Sequence, residues 1–306
     1  MAGQEIVFQS HIAHWTWTIA WFFWFVGIGG MTSVAYYSVR KAPVAYTVLG
    51  AIILGLLFVV SHLSRWWNLP ILVWTMVTNL HFNFGSWMFV GVCILSVHLI
   101  LAAILAFSHM DFILDRFPIA PKTVRWIVVS LRESNLFVGL FGFVGVFSVV
   151  YSGFLLTQAV GIPLWGNALI PVLWVISASV ATVAVLELMY VVGWVDEKVS
   201  IFGMKLGLGL DAVKLLAVLA FLHVSLGLTS VAARAGAQEL TTGSLAWMVW
   251  GGVVGVGILL PMALAAWMLL RGKNKPLIVV SAVGALSGVL FLRAAVLMAG
   301  AWEPLA

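Results

Sequence analysis

YSGFLLTQAVGIPLWGNALIPVLWVISA, residues 151–178, joins the end of one long apolar run to the start of another through a short loop without charge. The loop holds Pro163 and Trp165, and Tyr151 stands near the end of the first run. A bilayer core takes about 20 apolar residues per helix, and each run is long enough. A tyrosine and a tryptophan at such a boundary either anchor helices at the headgroups or line a site that opens from the lipid.

Outward from this stretch the pattern repeats. Apolar runs cover roughly 14–38, 43–63, 84–107, 135–159, 168–193, 207–230, 244–270 and 276–300. The chain is 63% hydrophobic and 8% charged, with a mean hydropathy of +1.15. That leaves too little polar surface for a soluble domain of this length. The runs are long and do not alternate, so the expected fold is an all-α integral membrane protein with eight transmembrane helices. Two four-helix halves are expected, 1–160 and 161–306. No basic segment precedes the first run, and the run ends at Arg40 and Lys41, so it is read as a span and not as a cleaved signal.

Charge gives an orientation. The odd-numbered loops hold Arg40, Lys41, Arg116, Lys122, Arg125, Arg132, Lys198, Lys205, Arg271, Lys273 and Lys275, whereas the tails and even-numbered loops hold Arg65 and Arg234. Positive residues favour the cytoplasmic side, so both termini are expected outside a cytoplasmic membrane. His11, His14, His62, Arg65, His81, Tyr151, Trp165, His223 and Arg293 then fall near the outer face, and His98, Glu187, Asp211 and Lys214 towards the inner half. Most of the tryptophans, Trp165 among them, read as interface anchors. The apolar loop 64–83 is open to three readings: it lies in the interface, covers a lateral opening or meets another subunit. Lys122–Leu131 reads as a short surface helix.

Ionisable groups inside a bilayer are costly and face a bundle interior or a wet cavity. Asp211 and Lys214, three apart, share a helix face. They read either as a neutralising pair or, with Glu187 and His98, as a proton relay. Arg293 either snorkels outward or holds a carboxylate, a water chain or a quinone oxygen. The single cysteine, Cys93, leaves no ligand set for an iron–sulfur cluster. Metal-ligand and nucleotide-binding motifs are lacking, and the positive charge sits in membrane loops, so nucleic acid is not an expected partner. A bis-histidine haem b needs two histidines at one depth, which His62 and His223 alone offer. A histidine is a proton acceptor near neutral pH and a tyrosine a hydrogen-bond donor to a carbonyl. His14, His62 and Tyr151 at one face therefore supply the minimum chemistry of a quinone site.

Five segments carry a resemblance: HWTWTIAWFFWFVGIGG at 14–30, SHLSRWWNLP at 61–70, NLHFNFGSWMF at 79–89, YSGFLL at 151–156 and PLWGNALIPVLWVISA at 163–178. In order and spacing they resemble the NrfD/PsrC family, integral membrane subunits of polysulfide reductase and related molybdopterin enzymes. The resemblance implies a haemless anchor that exchanges electrons with a quinol of the menaquinone type near the outer face. It implies an iron–sulfur subunit and a molybdopterin catalytic subunit as partners on that face. Tyr151 matches the family's quinone-contacting tyrosine. His62 stands where an acidic residue is common, and proton acceptance by His62 or His14 is inferred from that position. Some members use a histidine within the first helix; here Trp21 takes that place, with His14 two turns earlier. The expected quinone-contacting set is Tyr151, His14, Trp17, Trp21, His62 and Arg65, and the expected proton path is His98, Glu187, Asp211, Lys214 and Arg293. A haem-b quinol oxidoreductase subunit and a secondary transporter are the alternatives. The transporter predicts spans broken at the midplane, whereas Pro171 and Pro261 read as lying near helix ends.

Overall fold

The computed structural model describes residues 15–63, 65–80, 82–111 and 122–303. His11, His14, His81 and Arg116 lie outside them. Among the described residues, besides two 3-10 turns, eleven longer helices follow one another: α1 (Trp17–Val39), α2 (Ala42–His62), α3 (Leu69–Thr78), α4 (Trp87–Phe107), α5 (Lys122–Glu133), α6 (Asn135–Thr157), α7 (Leu169–Val191), α8 (Glu197–Leu226), α9 (Val231–Thr241), α10 (Met248–Arg271) and α11 (Lys275–Met298). Eight of these, α1, α2, α4, α6, α7, α8, α10 and α11, are long and apolar enough to cross a membrane. The end holding His62, Thr157 and Trp165 is termed outer, following the charge asymmetry.

Local chemistry sets the helix ends. Ser86, Ser134 and Ser230 accept from the backbone N–H three residues on and so cap α4, α6 and α9. Arg40 closes α1 in the left-handed region, at φ 46°. Pro43 and Pro276 open α2 and α11, where a missing N–H costs nothing. The expected surface helix is present as α5. Three elements differ from expectation. α8 starts at Glu197, ten residues before the apolar run, because Glu197, Lys198 and Lys205 occupy an inner extension of the same helix. α9 was hidden because its buried face is built mainly from Ala232, Ala233, Gly236 and Ala237, which carry little hydrophobic signal. Pro261 sits mid-span: α10 is π-helical over Met248–Leu259 and α-helical from Leu260.

The spans pack as two groups of four. α1, α2, α4 and α6 form one ring of neighbours, and α7, α8, α10 and α11 the other. α1 and α6 meet α7, and α1 also meets α11, so one continuous core runs through both groups. Glycines allow the close approaches. A Cβ at Gly30 would stand 2.6 Å from the Gly145 carbonyl oxygen of α6, and one at Gly29 2.8 Å from Ile52 of α2. By contrast, Gly50 faces open space.

Replacing Gly30 with leucine forces side-chain atoms against the α6 backbone. The detergent-solubilised protein should lose about 3 kcal/mol or more of stability, read as a lowered melting temperature, whereas Gly50→Ala should leave it unchanged. Equal melting temperatures would contradict the α1–α6 contact.

Candidate functional site

The outer end of the first ring brings several of the expected residues together. Tyr151 points from α6 towards α4 and is 5% exposed; its ring fills the space that the missing side chain of Gly91 leaves, and any Cβ there would overlap it. His62, half-buried at the end of α2, has Nδ1 3.2 Å from Thr18 Oγ1 of α1. One turn further along α1, Trp21 stacks on Phe58 of α2 with centroids 5.9 Å apart. Trp17 turns the other way, edge-on to Phe291 of α11. Arg65 is exposed beyond α2. Thus Tyr151, His62 and Trp21 belong to one end of one bundle, on separate helix faces, and Trp17 faces the other bundle.

The quoted stretch also builds a cleft. Between α6 and α7 an apolar groove of about 630 Å³ is lined by Val150, Phe154, Thr157, Gly166, Ala168, Pro171, Val172, Val175 and Ile176. Gly153 opposite Pro171 lets the two helices close together beneath it, since a Cβ at Gly153 would lie 2.6 Å from Pro171 Cα. The groove is lined by α6, α7 and the loop between them.

Two expectations are corrected here. Trp165 is not an interface anchor. It is 1% exposed, donates from Nε1 to the Val296 carbonyl at 2.9 Å, and stacks on Trp15. The loop folds inward over the bundle, and Gly300 leaves room for the indole. Arg293 does not snorkel. It is fully buried, its guanidinium lies 4.6 Å over the Trp174 ring, and Nη2 donates to the Trp174 carbonyl at 3.4 Å. Gly27 of α1 makes room for it, as a Cβ there would stand 2.8 Å from Nη2. Arg293 Nε and Nη1 and Trp174 Nε1 have no partner among the described residues. Unpaired buried donors are expensive, and these three leave a place for an acceptor between α1, α7 and α11.

The remaining charges lie below, in the second ring. Asp211 and Lys214 do not bond to each other. Lys214 Nζ donates to the Gly257 carbonyl at 3.0 Å. The ammonium therefore binds the backbone of the π-helical part of α10. Asp211 Oδ1 has no partner among the described residues. It shares with Glu187 and Ser281 a cavity of about 20 Å³, room for a single water. Glu187 and Asp211 share that cavity, Lys214 stands one turn outward of Asp211 on α8, and Arg293 lies in the outer half of α11, so four ionisable groups are spaced in a row from near the inner end of α7 outward. His98 is not in that row; it sits in the first ring, between Ser33 and Ser148.

The eight long apolar helices among the described residues define a polytopic membrane protein. The family model described as polysulphide reductase, NrfD, matches residues 5–303, and the chain belongs to the NrfD family. It is similar to the protein NrfD of Escherichia coli strain K12, at 30% identity over 97% of this chain and 98% of that one. It is also similar to the NrfD homolog of Haemophilus influenzae, at 26% identity over 94% of each.

Lys214→Met removes the ammonium from the Gly257 carbonyl and leaves Asp211 uncompensated, which should cost about 3 kcal/mol. Adding Asp211→Asn should recover part of that loss in a double-mutant thermal series. Strict additivity would show that the two charges do not interact.

Proposed function

We propose that this chain is the haemless membrane anchor of a respiratory oxidoreductase complex of the polysulfide-reductase type, and that it carries the quinol half-reaction. The quinone head binds at the outer end of the first ring, where Tyr151 donates a hydrogen bond to a ring oxygen and His62 or His14 exchanges its proton. The groove between α6 and α7 suits the hydrocarbon tail, being apolar and open to lipid. Trp21 and Phe58 give a stacked aromatic wall beside His62. Electrons pass between the quinone and an iron–sulfur subunit docked on the outer face, and from there to or from a molybdopterin subunit. The complex resides in the cytoplasmic membrane with both termini outside, and a menaquinone-type quinone is its membrane substrate. Glu187, Asp211, Lys214 and Arg293 carry protons in the same turnover.

Membership of the NrfD family over residues 5–303 carries this reading. The placement of Tyr151 supports it. A tyrosine needed only for anchoring would sit with its ring at the headgroups, whereas this one lies 5% exposed against Gly91.

Tyr151→Phe removes one hydroxyl and keeps the ring that fills the Gly91 space. The variant should assemble at wild-type yield and lose quinone-coupled turnover by about a hundredfold; unchanged turnover would reduce the tyrosine to a packing residue. Affinity purification from native membranes should bring an iron–sulfur protein and a molybdopterin protein with the chain. Full quinone-coupled activity of the isolated chain would contradict the anchor role.

A further inference from the structure

The cavity of about 20 Å³ in the second ring is lined from all four of its spans. Glu187 reaches it from α7, Asp211 from α8, Pro261 and Ala265 from α10, and Ser281 from α11. Glu187, Asp211 and Ser281 are each at most 5% exposed. They bring all the side-chain oxygens of the lining, two carboxylates and one hydroxyl; the other lining residues are apolar. Neither carboxylate forms an ion pair among the described residues, and Asp211 Oδ1 has no hydrogen-bond partner there. The cations around them are turned elsewhere. Lys214, one turn outward on α8, donates to the Gly257 carbonyl at 3.0 Å. Arg293, farther out on α11, lies over Trp174. Lys273, in the loop before α11, pairs with Glu197 at 3.4 Å. α10 brings no titratable side chain to the cavity.

Two carboxylates on one dry cavity repel each other, and a cation or a proton between them relieves that. Oxygen-only lining suits a hard metal ion. The cavity has room for a single particle the size of a water. Ca²⁺ takes about six to eight oxygens, more than this lining offers, and Mg²⁺ keeps several of its waters, for which there is no room. That leaves an alkali cation. Carboxylates are ligands of high field strength, and few of them closing on a small space favour Na⁺ over the larger K⁺. Charge agrees, since one Na⁺ together with Lys214 offsets both carboxylates.

The sequence of α8 extends the polar side of this site inward. Ser200, Met204, Gly207 and Asp211 are spaced by three and four residues and so form one stripe. Ser200 is fully buried, and its hydroxyl has no partner among the described residues. Gly207 keeps the stripe thin against α7, where a Cβ would stand 3.4 Å from Val183. Glu187 stands one turn before the inner end of α7. We propose that Glu187, Asp211 and Ser281 hold one dehydrated Na⁺, taken up from the inner side past Ser200, and that this ion competes with protons for the two carboxylates. The site stands whether or not a quinone binds at Tyr151; only the competition touches the proton-carrying row of the function proposed above. Sodium on the inner side then governs how often that row holds a proton.

The test uses the purified full chain in detergent, with thermal unfolding followed at constant ionic strength in sodium, potassium or N-methylglucamine chloride. The melting temperature should rise saturably in sodium alone, because the ion binds only the folded chain. The half-saturating sodium concentration should rise about tenfold per pH unit on acidification, as one proton displaces the ion. Glu187→Gln and Asp211→Asn should each weaken the sodium effect by about a hundredfold. An equal rise in potassium would overturn the site, as would a sodium effect that both variants retain unchanged. If the variants do not fold, equilibrium dialysis of the wild-type chain against radioactive sodium decides: one ion per chain, released on acidification and not by potassium, is expected, and no bound ion would overturn the proposal. No quinone enters these measurements, so a negative result leaves the quinone reading standing.

Discussion

Gly27, Gly29 and Gly30 put three bare backbone patches within about one turn of α1, and each faces a different neighbour. Gly29 meets Ile52 of α2, Gly30 meets the Gly145 carbonyl of α6, and Gly27 leaves room for the Arg293 guanidinium of α11. In a bilayer the lipid tails are as apolar as the core, so helices associate through close packing and through polar groups that need partners. Small residues on α1 supply the first, and they let that helix join both groups of four. Without them, α1 could not lie against α2, α6, α7 and α11 together.

That close packing leaves little space, which gives each buried polar group its meaning. A polar side chain in the dry interior is either satisfied or held ready for something that satisfies it. His98 is satisfied on both nitrogens, and Lys214 is satisfied by the Gly257 carbonyl of α10. Asp211 and Arg293 keep orphan atoms. The first ring therefore holds hydrogen-bonded neutral groups around His98, and the second a row of separated charges. Tyr151 and Arg293 each stand against a glycine of the neighbouring helix.

Much of this was legible in the sequence. Span length is imposed by bilayer thickness, so all eight helices could be read within a few residues, apart from the charged extension of α8. Loop charge supplied a depth for each polar residue. Lateral position was not legible, because the spans are apolar all round and show no polar stripe to mark an inward face. His98 could thus be given the depth of Glu187 and Asp211, but not the ring of helices it belongs to. Trp165 looked like an anchor because loop composition does not reveal that the loop folds back onto α11. Asp211 and Lys214 looked like a pair because their spacing puts them on one face; the competing carbonyl at Gly257 belongs to another helix. The tyrosine at the outer end was recognised from the motif around it, and its seat at Gly91 came only from the packed structure.

The account stands on a quinone site within this chain. Titrating the purified chain in detergent micelles with a short-chain naphthoquinone, followed by quenching of tryptophan fluorescence, tests that most directly. Trp21 should report binding from beside His62. One saturable site that Tyr151→Phe weakens and Asp211→Asn leaves intact is the predicted result. Quenching that rises linearly with quinone and is identical in the Tyr151→Phe variant would mean that the quinone merely partitions into the micelle, and would contradict the site.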